Sequence, residues 1–233
     1  CPAELVLGGP DPGTRQGNLL LDELSGATLI FVSKEERDQR PQQAFAQAEE
    51  DGMQPYLIPY GGSNPVGVQG YLQAMQELQE QALKPDWIVL ASSSGGTQAG
   101  MMLGAKQTGF SGRILGISVD KLETELTQTI IALANQTATY LNMGVEITPR
   151  DVFVNDAYCQ AGYGYLQPAE VEAIQLFART EGILLDPVYS GKAMAALLAA
   201  IRGGRYATDE SVLFLHTGGG PSLFAFGEAL LAS

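Results

Sequence analysis

Residues 86–103 read DWIVLASSSGGTQAGMML, and this stretch decides the fold of the chain. An apolar run leads through serines and glycines directly into a helix-forming segment, which predicts a buried strand, a tight turn and a helix. Such a turn presents backbone N–H groups at the positive end of a helix dipole, where a bound phosphate is favoured. The alternative is a strand-to-helix turn that is capped by Thr97 and binds nothing.

The candidate phosphate ligands in this turn are backbone amides and hydroxyl groups. The amides belong to Gly95, Gly96 and Thr97, and the hydroxyls belong to Ser92 to Ser94 and Thr97. GGTQAG lacks the glycine spacing of a dinucleotide fingerprint, and the Gly191-Lys192 pair lacks the remaining residues of a P-loop. The motif therefore favours a phosphate-bearing ligand other than NAD or ATP.

Short apolar runs alternate with helix-length segments along the whole chain. Strands are predicted at 4–7, 28–32, 55–59, 86–92, 113–119, 151–154 and 211–217, and helices within 34–52, 65–84, 97–108, 122–141, 168–181, 192–202 and 221–230. This rhythm is typical of repeated βα units. It predicts an α/β fold with mostly parallel sheets and flanking helices.

Composition narrows the class of ligand. The chain has 233 residues, 45% of them hydrophobic, and a formal net charge of −13, which would repel nucleic acid and anionic membranes. No apolar stretch approaches the roughly 20 residues of a membrane span. Two cysteines and one histidine give neither a disulfide framework nor a metal-ligand cluster, so no metal is expected. A small-molecule site in a cytoplasmic protein is predicted.

The start of the chain and a glycine-rich passage bear on its organisation. The sequence opens at Cys1 without an initiator Met and enters a strand-like run by residue 4, so we expect a removed leader or a longer polypeptide. The glycine-rich passage at 59–70 marks a crossing between two lobes. We therefore predict a remainder of a small lobe at 1–57 and a large lobe at 58–233.

Five segments, read together, resemble the family of D-cysteine desulfhydrase and 1-aminocyclopropane-1-carboxylate (ACC) deaminase. They are IPYGGSNPVGVQGY (58–71), SSSGGTQAGM (92–101), AGYGYLQP (161–168), EGILLDPVYSGKAM (181–194) and LFLHTGGGPSLFAF (213–226). The resemblance implies a two-lobed, tryptophan-synthase-β-like fold (fold type II), here N-terminally incomplete. It also implies pyridoxal phosphate, held between the lobes, and a small amino acid as substrate.

The resemblance assigns roles to individual residues of this chain. It places the cofactor phosphate on Ser94, Gly95, Gly96 and Thr97, in agreement with the phosphate argument above. It places Tyr163 and Tyr189 on the substrate face of the cofactor ring, where a phenol can hold a substrate group or pass a proton. The alternative for both tyrosines is an ordinary half-buried aromatic with a hydrated hydroxyl.

Ser190 separates two activities within the family. The resemblance places this side chain against the pyridine nitrogen of the cofactor, where ACC deaminases carry a glutamate. A neutral hydroxyl favours β-elimination from D-cysteine or a β-substituted analogue, which gives a 2-oxo acid, ammonia and the leaving group. ACC deaminase activity is the alternative, and Ser190 could also serve as a helix N-cap.

The family's Schiff-base lysine and its SNH-type loop precede the region that this chain resembles. Lys34, Lys84, Lys106 and Lys121 are predicted on helices or helix ends, where lysines are solvated. Lys192 lies near the proposed site and is interpreted as structural, and formation of the imine by Lys192 is the alternative. The alternatives are therefore a phosphate-binding protein without catalysis, or a two-piece enzyme. Expected partners are a second copy of the chain or the missing N-terminal segment.

Overall fold

A computed structural model describes residues 2–33 and 35–232, so Lys34 lies outside the described residues. The chain divides into two compact units, Cys1–Ile58 and Pro59–Ser233. Their assignment to the remainder of a small lobe and to a large lobe stays a prediction.

The first unit is a two-stranded parallel sheet with helices. Its elements are β1 (Glu4–Gly8), α1 (Asn18–Leu24), β2 (Thr28–Val32) and α2 (Arg40–Glu50). The strand predicted at 55–59 is absent, and this prediction was wrong. Pro55 and Pro59 have no N–H to donate to a neighbouring strand, which explains the difference.

The second unit is built on a four-stranded, wholly parallel sheet in the order β5-β4-β3-β6. Its elements are α3 (Gln69–Glu80), β3 (Trp87–Ser92), α4 (Gly96–Thr108), β4 (Arg113–Ser118), α5 (Glu123–Tyr140), β5 (Phe153–Asn155), α6 (Pro168–Thr180), α7 (Ser190–Arg202), β6 (Val212–Phe214), α8 (Gly220–Leu223) and α9 (Gly227–Leu231). The predicted α/β class with parallel sheets is confirmed.

Strand β3 is buried along its whole length because both faces of the sheet are covered. Ile88 and Leu90 pack in one apolar layer with side chains of α3, α4 and α5. Val89 and Ala91 point the other way, into a layer with α6 and α7. This two-sided burial explains why the strand reads as a continuous apolar run.

The edge strand β6 pairs with only half of β3. Val212 lies opposite Trp87 and Phe214 opposite Val89, and the N–H of Leu215 then donates to Val89 O at 2.9 Å. Leu90 to Ser92 have no partner in β6. The carboxyl end of β3 is therefore unpaired on this side of the sheet.

Helix α7 is strongly apolar over residues 193–201, AMAALLAAI. Ala193 to Leu197 are buried in the core, as expected for a short internal helix. Gly203 ends the helix. Within residues 2–33 and 35–232, no helix combines the length and apolar character needed to cross a bilayer.

The end of α4 is tied to the loop before β5 by a pH-sensitive contact. Lys106 Nζ donates to Asp151 Oδ1 at 2.6 Å, and Thr148 donates twice to Oδ2. Burial alone raises the pKa of Asp151, but these hydrogen bonds outweigh it and lower the pKa to about 2. The unfolded value is about 3.9, so the stabilisation is present above about pH 4 and is lost as the pH falls toward 2.

We therefore expect Asp151→Asn to reduce the free energy of unfolding near pH 6 and to have little effect near pH 2. Urea unfolding at both pH values measures this difference. Asp209→Asn is the control, because Asp209 is exposed. An equal loss of stability at both pH values would contradict the prediction.

Candidate functional site

The turn between β3 and α4 presents free backbone donors. Gly95 has φ +82°, the left-handed region that favours glycine, and α4 begins at the next residue. No side chain caps this helix, so the capping alternative for Thr97 is wrong. Within the described residues, the N–H groups of Gly95, Gly96 and Thr97 donate to no other group. Three amides at a helix N-terminus form an anion site.

The hydroxyls of the same turn divide into free and committed donors. Ser63 Oγ donates to Ser94 Oγ at 2.7 Å, which leaves the proton of Ser94 free for a ligand. Ser93 Oγ donates to Asp120 Oδ2 at 2.9 Å, so it accepts from the hydroxyl of Tyr60 at 3.0 Å. Ser94 can therefore bind a phosphate oxygen, whereas the proton of Ser93 is committed to Asp120.

A cavity of about 270 Å³ opens at the carboxyl end of β3. It is lined by residues 91–97, by Tyr60 and Gly61, by Tyr189, and by the turn 217–219. A methyl group at Gly61 would collide with Ser94 Oγ, so this position of the cavity wall requires glycine. In open α/β sheets, ligands bind outside the carboxyl ends of the strands, as here.

Tyr163 and Tyr189 are brought together although 26 residues separate them. Their hydroxyl oxygens are 2.7 Å apart, and their rings meet edge to face with centroids 5.9 Å apart. Burial raises the pKa of both hydroxyls, so both stay uncharged at neutral pH. One hydroxyl donates to the other, which leaves one O–H of the pair free to donate.

Asp186 organises the segment that carries Tyr189. Its carboxylate accepts from the N–H groups of Val188, Tyr189 and Ser190 at 2.7 to 2.9 Å, and from Ser190 Oγ at 2.6 Å. Ser190 Oγ in turn accepts from the N–H of Asp186 at 2.7 Å. The expected N-cap role of Ser190 is wrong, because Asp186 takes the amides at the start of α7.

The structure places Ser190 beside the cavity wall rather than on it. Its side chain is buried, and its one proton is committed to Asp186. Ser190 can offer a ligand only its remaining acceptor site. Tyr189 and the loop from Ser94 to Thr97 line the cavity directly, and Tyr163 joins them through its hydrogen bond to Tyr189.

Sequence reasoning missed three residues of this region. Tyr60 lies in the first of the five segments, which assigns it no separate role, and Asp186 could have been found as a carboxylate four residues before Ser190 at the start of a helix. Lys121 was predicted to be a solvated lysine on a helix. It lies instead in the loop after β4, half-buried, and its Nζ donates to Ser93 O at 3.1 Å. Lys84 and Lys106 are exposed, as predicted.

His216 has a structural role at the turn that closes the cavity. Its Nδ1 accepts from the N–H of Gly218 at 3.0 Å, which assigns the proton to Nε2, and Nε2 donates to Leu184 O at 2.9 Å. Both ring nitrogens are therefore occupied by backbone groups. Within the described chain, no group of three or more His, Cys, Asp or Glu side chains is placed to hold a metal ion.

The turn between β3 and α4 fits the phosphate of pyridoxal phosphate. Three unpaired amides and the free proton of Ser94 converge where α4 begins, and a phosphate accepts hydrogen bonds at several oxygens. At Gly96 a Cβ atom would lie 2.5 Å from Ser63 Oγ, so only glycine allows the loop to pack this closely. The donor set suits a compact anion at the N-terminus of α4.

Comparison with known proteins agrees with this geometry. A family model described as "Pyridoxal-phosphate dependent enzyme" matches residues 4–218. The D-cysteine desulfhydrase of Yersinia enterocolitica is 36% identical over 216 residues, and the match covers 91% of this chain and 65% of that protein. The D-cysteine desulfhydrase of Salmonella schwarzengrund is 35% identical with the same coverage. The chain thus spans about 65% of the length of these curated relatives.

Solved structures show the same fold. The crystal structure of an ACC deaminase homologue superposes with a TM-score of 0.87 at 34% identity, covering 99% of this chain and 70% of that chain. A fungal L-serine ammonia-lyase from Rhizomucor miehei, at 16% identity and a TM-score of 0.59, shares the fold. The resemblance drawn from the five segments is confirmed, and so is the fold class that it implied, a mixed α/β fold with parallel sheets and flanking helices. This chain belongs to the family of pyridoxal-phosphate dependent enzymes.

Proposed function

We propose that this chain provides the phosphate site and the substrate-facing tyrosines of a pyridoxal-phosphate-dependent lyase. The proposed reaction is β-elimination from D-cysteine to a 2-oxo acid, ammonia and sulfide. The observation that carries the proposal is the shared cavity, where the uncapped start of α4 lies opposite Tyr189. The identity to D-cysteine desulfhydrases supports the choice of substrate.

The residues of this chain have separate tasks in the proposed reaction. The amides of Gly95, Gly96 and Thr97, with the hydroxyl of Ser94, would hold the cofactor phosphate. When bound, the cofactor supplies an electron sink for chemistry at the substrate Cα. Tyr163 and Tyr189 would present one uncharged O–H donor to the substrate, because burial raises the pKa of both phenols.

ACC deaminase activity is the second candidate, and the solved ACC deaminase homologue supports it. Ser190 favours desulfhydration if it lies near the ring nitrogen, since its proton is already committed to Asp186. Such a hydroxyl cannot donate to the ring. It also lacks the negative charge that would stabilise a protonated ring nitrogen.

Binding without catalysis is the third candidate. Lys192 is buried and contacts two carbonyls, and Lys121 lies beside the cavity but contacts Ser93 O and Asp120. The amine that forms an imine with the cofactor must be supplied by the protein. Both ammonium groups already have hydrogen-bond partners, which supports this candidate.

The experiment that tests these proposals measures binding and turnover on the same purified chain. Calorimetry with pyridoxal phosphate and with pyridoxal, which lacks the phosphate, should show clearly tighter binding of the phosphorylated compound. Release of sulfide and pyruvate from D-cysteine supports the lyase, and 2-oxobutyrate from ACC supports the deaminase. Binding without either product supports the third candidate. Equal affinity for the two vitamers would overturn the phosphate site.

The different hydrogen bonds of Ser93 and Ser94 give a sharper prediction. Ser94→Ala removes a free donor to a charged ligand and should weaken pyridoxal phosphate binding by about 10- to 100-fold. Ser93→Ala removes a hydroxyl that is committed to Asp120 and should weaken binding by less than about threefold. The dissociation constants of the two variants measure the difference. A larger loss in Ser93→Ala than in Ser94→Ala would show that the assignment is reversed.

A further inference from the structure

Lys192 is placed where a lysine is unfavourable. It is the largest of the fully buried side chains, with 1% of its surface exposed. It lies in the first turn of α7, where the helix dipole repels a positive charge. A buried ammonium also loses its hydration. No part of the proposed reaction uses this residue, so its position requires another explanation.

The ammonium group of Lys192 joins two backbone segments. Its Nζ lies 3.4 Å from Val119 O, just after β4, and 3.4 Å from Gly162 O. Within the described residues, no carboxylate lies within ion-pair distance of this nitrogen. The charge is thus directed at two carbonyl dipoles rather than neutralised by an acid.

Gly162 immediately precedes Tyr163 in the loop before α6, in which Tyr158 and Leu166 pack against the core of the second unit. Among the described residues, three hydrogen bonds tie the segment 156–166 to residues that are distant in sequence. One joins Asp156 to the N–H of Glu123, one joins the hydroxyls of Tyr163 and Tyr189, and one joins Gly162 O to Lys192. The last of these fixes the peptide unit that Gly162 shares with Tyr163.

Tyr189 lies three residues before Lys192, at the start of the same helix. The contact from Lys192 to Gly162 therefore spans the same two segments as the tyrosine hydrogen bond. We propose that Lys192 is a positioning residue whose buried ammonium holds the Gly162 carbonyl and so keeps Tyr163 against Tyr189. The value of this arrangement to catalysis rests on the proposed function of the tyrosine pair.

Hydrogen exchange tests the first part of the proposal. In Lys192→Met, which keeps the apolar stem, amides in 159–165 should exchange at least about tenfold faster than in the unmodified chain. Amides of β3 should be unchanged. Lys84→Met, which replaces an exposed lysine, is the matched control and should leave 159–165 unaffected. Unchanged exchange in Lys192→Met would overturn the proposal.

A double-mutant cycle separates positioning from general stabilisation. Tyr163→Phe and Tyr189→Phe remove the paired hydroxyls, and their effects on the unfolding equilibrium should be coupled by about fivefold. In the Lys192→Met background this coupling should fall to about one. A merely structural lysine would lower stability and leave the coupling intact, which would refute positioning.

Lys192→Gln keeps an N–H donor without the charge, and it replaces Lys192→Met in both measurements if that variant does not fold. It should increase exchange in 159–165 by a smaller factor, about threefold; no increase would count against the proposal. All of these measurements use the chain without cofactor. If the variants show the expected changes in exchange and coupling but the chain does not prefer pyridoxal phosphate over pyridoxal, the proposed function fails and the role of Lys192 stands.

Discussion

Gly96→Ala should weaken binding of pyridoxal phosphate by at least about 100-fold while leaving the chain folded. The added Cβ would lie 2.5 Å from Ser63 Oγ and 3.3 Å from Ser63 Cβ, which is too close for both residues to keep their places. Ser63 must then move and release Ser94, or the start of α4 must shift. The first displacement removes the partner that orients the Ser94 hydroxyl, and the second changes the direction of the amides that would hold the phosphate.

Gly70→Ala is the matched control for this variant. Gly70 also lies in the first turn of a helix, and a Cβ there meets nothing within 4 Å. We expect it to keep its affinity for pyridoxal phosphate and to be slightly more stable than the unmodified chain. Calorimetric titration and thermal unfolding measure both quantities. Full affinity in Gly96→Ala would show that this loop does not hold the phosphate.

Asp186→Asn should lower the free energy of unfolding by about 3 kcal/mol. The carboxylate is buried and accepts four hydrogen bonds, from three backbone amides and Ser190 Oγ. An asparagine side chain has an NH₂ group in place of one carboxylate oxygen. This donor would face the N–H or O–H donors that the oxygen now accepts from. The backbone of Tyr189 should lose its fixed position in the same variant.

Urea unfolding measures the loss of stability, and hydrogen exchange of residues 186–190 shows whether it is local. Asp209→Asn, at an exposed position, should change the free energy of unfolding by less than about 0.5 kcal/mol. If Asp186→Asn is as stable as this control, the carboxylate is not the organising group of the segment.

The strand, turn and helix at 86–108 could be predicted because their signals are local. An apolar run, a glycine in the left-handed region and a helix-forming segment follow each other without a gap, and each agrees with the next. The strand predicted at 55–59 failed for a local reason too. Its apolar residues lie between two prolines, and the N–H donors that these prolines lack outweigh the hydrophobic pattern.

The paired contacts of the site could not be predicted from spacing. Tyr163 meets Tyr189 only because the loop before α6 returns to the start of α7. The prediction of a solvated lysine at Lys121 was wrong for a related reason. The pairing of β3 with β4 brings the loop after β4, which carries Lys121, to Ser93. The resemblance named the tyrosines, but it did not give their hydrogen bond, the role of Asp186 or the place of Lys192.

The short edge strand β6 explains why the second unit has a cavity at the carboxyl end of β3. Because β6 ends opposite Val89, the backbone of residues 217–219 turns away from β3. The gap between this turn and the end of β3 is part of the cavity. Three more residues of regular pairing between β6 and β3 would close this gap. The size of the cavity therefore depends on strand length, and lengthening or shortening β6 would change it without replacing any residue of the proposed phosphate site.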